Sequence, residues 1–351
     1  MSLSDSRPII GTSDDIRPMR LWLICVACMV IAIVVVGGIT RLTESGLSIT
    51  EWKPVTGAIP PLSDAQWQAE FDAYKRIPQY VEVNGPAGMT LAQYKFIYFW
   101  EWVHRLLARL IGLAFALPLA FFWMRGTIPL GYKPRLLALL ALGGLQGAVG
   151  WWMVSSGLSA DVKVSHFRLA AHLLVALTTL GGLVWTALDL GRLEHGQAPS
   201  RLNRAGIVPL VVLAIQLFYG ALLAGLRAGV VAGAGWFSLD AWPLMQGSLF
   251  PEGVEWSAGA LVSDPYLVHF IHRWWAWVTV FVLVVMARRL RGVHRRDVSV
   301  AIHCAFGPQI LLGIATVWSG VSLWLAAAHQ LTGALLVAAT VWGAHALGRR
   351  L

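Results

Sequence analysis

The chain has 351 residues, of which 57% are hydrophobic and only 13% charged, with 18 Trp and a formal charge of +9; its mean hydropathy is +0.65. So little charge excludes the solvated surface of a soluble domain and makes this an integral membrane protein. Nucleic acid is excluded as a partner as well, because the Lys and Arg residues fall in short clusters between apolar runs, where they act as topology signals.

Residues 1–20 are polar, carry Arg7, Arg17 and Arg20, and read as a cytoplasmic leader rather than a cleaved signal. Eight apolar segments long enough to cross a bilayer follow, near 21–39, 96–123, 136–155, 166–188, 206–226, 265–287, 300–320 and 322–347. The cysteines Cys25, Cys28 and Cys304 suggest no disulfide framework and read as small buried apolar residues. Basic connections hold Arg125, Lys133 and Arg135, then Arg192, Arg201 and Arg204, then Arg288, Arg289, Arg291, Arg295 and Arg296, and the tail ends in Arg349 and Arg350. The positive-inside rule places these, and both termini, in the cytoplasm. The segments 40–95 and 228–264 hold most of the acidic residues and belong outside. The first is proline-rich, predicts a short helix around Asp64 to Lys75, and is expected to pack as an ordinary loop rather than a lid.

A repeat runs through the chain. EWVHR at 101–105 returns as HFIHR at 269–273, and the run from Gln146 to His172 is echoed from Gln309 to His329. The expected fold is all-α: a polytopic membrane protein of eight transmembrane helices in two tandem, pseudo-symmetric four-helix bundles, 21–195 and 196–351.

Four histidines, His104, His172, His272 and His329, fall at repeated places, each a few residues inside the outer end of a different segment. At 1.5 Å per residue they lie about 9–12 Å deep. A single intramembrane imidazole is as well explained as a helix-to-helix hydrogen-bonding group. Four at one depth point to paired axial ligands for two buried haems, one per bundle. His166, His195, His294, His303 and His345 fall near segment ends or in loops and are expected to be solvated or interfacial. Arg105, Arg168 and Arg273 stand beside or one turn outward of the histidines, where guanidinium groups can pair with haem propionates or snorkel to the headgroups. Arg41 and Arg227 are further candidates.

The halves differ at one chemical position. Glu101 precedes His104 by one turn, and its counterpart in the second half is His269. A carboxyl group inside a membrane is costly and normally has a task, here proton steering or acid–base support of oxygen chemistry. Arg168 is likewise matched by Leu325. The first bundle therefore reads as the reactive site and the second as an electron-transfer haem.

GGITRLTESGLSITEWKPVTGAIPP at 37–61, FWEWVHRLLAR at 99–109, RLAAH at 168–172, FIHR at 270–273 and LAAAHQLTGA at 325–334 resemble the haem A synthase family, in the class found in α-proteobacteria and mitochondria. The likeness runs from about residue 21 to 347. It implies an enzyme that oxidises the C8 methyl of haem O to a formyl group, giving haem A for cytochrome oxidase, with haem b as bound cofactor. It assigns Glu101, His104 and His172 to the substrate haem and its iron, and His272 and His329 to the haem b iron. It further implies a bacterial inner (plasma) membrane location and a membrane electron donor. Haem O synthase, the farnesyltransferase that makes the substrate, and oxidase assembly factors are candidate partners. The chain lacks the outer-loop cysteine pair of the Gram-positive branch. A di-haem cytochrome that only relays electrons, and a tandem-repeat transporter using His and Glu as proton relays, remain as alternatives to the residue pattern.

Overall fold

The computed structural model describes residues 13–159, 161–250 and 253–348. The expected leader 1–20 lies outside them as far as position 12, as do Arg349 and Arg350 of the tail; from Ser13 the chain is already helical. Eight helices are long and apolar enough to cross a membrane. They are α1 (Ser13–Leu42), α3 (Leu91–Met124), α4 (Tyr132–Ser159), α5 (His166–Glu194), α6 (Arg204–Leu226), α8 (Pro265–Gly292), α9 (Arg296–Trp318) and α10 (Leu323–Leu347). Two short helices lie in the loops between α1 and α3 and between α6 and α8, α2 (Asp64–Tyr74) and α7 (Ala260–Ser263).

Helix ends follow local chemistry. Ser63 and Thr90 each form a capping box with a glutamine three residues on, starting α2 and α3. Asn203 caps α6, and Asp264 caps α8 with Pro265 as its first helical residue. The spans run several residues beyond the apolar segments read from sequence. The start of α3 is among the extended ends, and its first turn carries Tyr94 into a cluster with Phe71 and Tyr74 of α2. His104 accordingly lies roughly 20 Å along α3 from Leu91, because the helix begins about a turn and a half before the apolar segment.

Packing follows the repeat. In the first half of the chain α1 lies against α3 and α5, and α4 against α5; in the second, α6 lies against α8 and α10, and α9 against α10 and α8. The two halves meet through α1, α5, α6 and α10. Of the most apolar stretch, 44% is buried in α1 and in α10 against 11% in α3 and in α4, so α3 and α4 are peripheral and turn most of their surface to lipid. Cys25, Cys28 and Cys304 are exposed free thiols rather than buried residues. Cys25 and Cys28 have CxxC spacing within one turn of α1, yet remain unbridged on the bundle exterior.

One buried polar cluster closes the opposite end of the bundle from these loops. Asp189 of α5, fully buried, accepts from Arg135 of α4 at 2.6 Å, from the Ser200 backbone N–H at 2.9 Å, and pairs with His345 Nε2 of α10 at 2.9 Å. His345 is thus not solvated, as its place near a helix end suggested. Its carboxylate partner comes from the other half of the chain, and no local pattern displays that.

Candidate functional site

The four histidines are seated alike by helix geometry. Each ring lies against a glycine on a neighbouring helix: His104 of α3 on Gly37 of α1, His172 of α5 on Gly150 of α4, His272 of α8 on Gly220 of α6, and His329 of α10 on Gly313 of α9. A methyl group at these glycines would stand 2.9–3.1 Å from the ring, closer than van der Waals contact allows. Only glycine lets the imidazole lie on the backbone. By contrast Gly143, Gly144 and Gly147 of α4 face open space, so close helix packing is not their role. His104 lies within electrostatic reach of His172, and His272 of His329. Among the described residues no three His, Cys, Asp or Glu side chains converge as a site for a bare ion. Imidazoles in twos are the donor set of a porphyrin iron, whose remaining ligands the macrocycle supplies.

Glu101 is 2% exposed and fully engaged. Its Oε2 accepts from Ser48 Oγ at 2.7 Å and the Ile49 N–H at 2.8 Å, and its Oε1 pairs with Arg105 Nη2 at 2.6 Å. Arg105 then donates to the carbonyls of Ile49 and Glu51, and Arg109 to those of Lys53 and Pro54. Trp102 Nε1 reaches the Ala58 carbonyl at 3.2 Å. One face of α3 thus staples residues 48–58 across one end of the first half, and Leu47 and Ile49 are buried there. The loop is packed, as expected of an ordinary one. Arg109 belongs to this staple, and spacing alone did not single it out.

The second half repeats the device with other atoms. Arg273 donates to the carbonyls of Ala241, Pro243 and Leu244, and to His269 Nε2 at 3.2 Å; His269 Nδ1 donates to the Ala228 carbonyl at 2.8 Å. Arg168 binds the Trp152 carbonyl at 2.7 Å and lies over its ring. Arg41 of the first half caps carbonyls of Ala224 and Gly225 at the end of α6, while Arg227 of the second pairs with Glu44 at 2.8 Å. These two arginines join the halves reciprocally.

Three glutamines also touch the rings, a feature the histidine pattern did not disclose. Gln146 Nε2 lies 3.2 Å from both nitrogens of His172, Gln216 Nε2 3.2 Å from His272 Nδ1, and Gln309 Nε2 3.3 Å from His329 Nε2. The available signal was a glutamine four residues before each seating glycine, at 146, 216 and 309.

Fold and site together define a polytopic all-α membrane protein with two internal pairs of glycine-seated imidazoles. Residues 20–341 match the family described as Cytochrome oxidase assembly protein, and the chain belongs to that family. It is 68% identical to the heme A synthase of Novosphingobium aromaticivorans, covering 98% of this chain and 99% of that one. It is 56% identical to the heme A synthase of Erythrobacter litoralis (93% and 96% covered) and 53% identical to that of Sphingopyxis alaskensis (99% and 98% covered).

Proposed function

We propose that this protein converts haem O to haem A in a bacterial inner membrane, with both termini cytoplasmic, the first bundle (21–195) holding the substrate and the second (196–351) a haem b. The single observation carrying this reading is the doubled arrangement of imidazoles in twos on glycine-smoothed helices, joined to near full-length likeness to proteins named heme A synthase. The donor set and the methyl-free seats fit a tetrapyrrole, so His272 and His329 would hold haem b, and His104 and His172 the substrate iron. When bound, haem b supplies a one-electron carrier between a membrane donor and the substrate.

The chain's own residues do the rest. Apolar surfaces on peripheral α3 and α4, the latter with Gly143, Gly144 and Gly147 open, give a lipid-borne, farnesylated substrate lateral access, and the stapled loop 48–58 keeps water from the outer end. Oxidation of the methyl proceeds by successive hydroxylations and loss of water, so protons must move. Glu101, with the Ser48 hydroxyl at 2.7 Å, is the group placed to hold or pass one. Arg168 and Arg273 have no carboxylate partner among the described residues, which suits them to propionates; Arg105 is already neutralised by Glu101. Gln330, beside His329, donates to the Val34 carbonyl at 2.8 Å and rests on Gly38, the neighbour of Gly37 under His104. That contact is a short covalent and hydrogen-bonded route for electrons between the halves. Purification followed by pigment extraction tests the proposal: haem O or A beside haem b is expected, haem b alone would leave a di-haem relay, and no Soret absorption would remove haem altogether.

A further inference from the structure

Aligned on Gly37 with Gly220 and on His104 with His272, the corresponding helix pairs of the two halves end differently. Sixteen residues before the glycine stands Leu21 in the first half and Arg204 in the second; one residue on, Trp22 corresponds to Ala205. Seventeen residues beyond the histidine, Phe121 corresponds to Arg289. In the first half Trp22 closes the space between α1 and α3. Its ring packs on Phe115 and Phe122 with centroids 5.0 and 5.6 Å away, and its Nε1 donates to the Ala114 carbonyl at 2.7 Å. In the second half the alanine leaves that space open. A groove of about 390 Å³ runs between α6 and α8, with Arg204 and Arg289 at its mouth, buried Pro209 and Met286 as its floor and Phe281 along its wall.

The groove opens sideways from the bundle, where Phe281 is 69% exposed. From Arg289 to Phe281 the helix runs roughly 12 Å at 1.5 Å per residue, so the mouth is cationic and the length below it apolar. Neither guanidinium has a hydrogen bond or ion pair among the described residues. Carboxylates of the same end are committed elsewhere, Asp189 to Arg135 and His345, Glu194 to Arg20, and Asp297 to Arg295. Two uncompensated cations over an apolar cleft, at the edge of a membrane span, complement an ionised phosphodiester over a hydrocarbon chain.

We propose that this groove binds one anionic phospholipid, its phosphate paired by Arg204 and Arg289 and an acyl chain lying against Pro209, Phe281 and Met286. The first half, with a leucine, a phenylalanine and a tryptophan plug at the corresponding places, has no such site. Bound there, the lipid bridges α6 and α8, the helices of Gly220 and His272. The site does not depend on haem and goes beyond the reaction proposed above.

Native mass spectrometry of the full-length protein, stripped in detergent and titrated with phosphatidylglycerol or phosphatidylcholine, reads the site. One phosphatidylglycerol is expected to bind in preference to phosphatidylcholine. Arg204→Gln combined with Arg289→Gln should weaken it roughly 25-fold, about fivefold for each arginine near a membrane surface. Arg288→Gln, at an exposed arginine outside the groove, should leave it unchanged. Ala205→Trp, which copies the plug of the first half, should abolish binding with both arginines in place, and it decides alone if the double variant does not fold. Equal retention of the two lipids, or unchanged affinity in Ala205→Trp, overturns the proposal. A loss in Arg288→Gln as large as in the double variant would show diffuse surface charge and overturn it as well. So would inorganic phosphate displacing phosphatidylglycerol and binding Ala205→Trp as it binds the native chain, the mark of a free-phosphate site.

Discussion

The two halves use the same arginine to hold the same kind of loop, but one places a carboxylate beside it and the other an imidazole. Glu101 accepts, and the loop over it turns in two donors, Ser48 Oγ and the Ile49 N–H. His269 both donates and accepts, and its surroundings present one acceptor, the Ala228 carbonyl, and one donor, Arg273. Each loop is thus built to the chemistry of its own residue. The duplication supplied the scaffold, and the divergence of one side chain was matched by the backbone facing it. A charged pair remains at the first site, and an arginine without a carboxylate among the described residues at the second.

The comparison breaks most completely at the ligands. His272→Ala should abolish the b-type spectrum of the second half while substrate haem stays extractable from the first; loss of both haems together would show that the halves do not bind independently. Glu101→Ala should leave haem b in place and cut haem A by about 100-fold or more, the scale of a lost acid–base group, with haem O or its alcohol accumulating. Normal haem A from that variant would reduce Glu101 to a loop anchor. Because the change also takes the carboxylate from half-buried Arg105, which keeps its carbonyl acceptors on Ile49 and Glu51, a loss of about 1.5–3 kcal/mol in stability is expected in thermal unfolding, and Glu101→Gln, which keeps the acceptor oxygen, separates the two effects.

Making the second half imitate the first is a finer test. His269→Glu sets a carboxylate against the Ala228 carbonyl, two acceptors face to face, and should destabilise the fold by about 1–3 kcal/mol despite the new charge beside Arg273. An unaltered melting temperature would mean that the loops adapt freely. The smallest effect belongs to the loop of the first half alone. Fully buried Tyr74 donates to Gln79 at 3.0 Å and accepts from Asn84 at 2.6 Å, and Tyr74→Phe should cost about 1 kcal/mol. Burial pushes its phenol up to about 12. The contribution is therefore complete below the ordinary tyrosine value near 10 and is lost as pH rises through the folded one; a stability gap between the native chain and Tyr74→Phe that stays the same from neutral to alkaline pH would refute it.

By itself the sequence determined the membrane class, the eight spans, the duplication and the four histidines, because hydropathy over a span and a repeated imidazole in apolar surroundings are local signals. It also marked Glu101 as the odd residue of the two halves. Only the tertiary structure decided what the arginines hold, since carbonyls of residues 48–58 and 241–244 meet Arg105, Arg109 and Arg273 through loop folding that no periodicity encodes. It alone brought His345 to Asp189 across 156 positions, turned the cysteines outward, and laid each imidazole on its glycine. Those are contacts between helices far apart in the chain, and their partners are fixed by packing, where a one-residue shift along a helix swings a side chain by about 100° away from its seat.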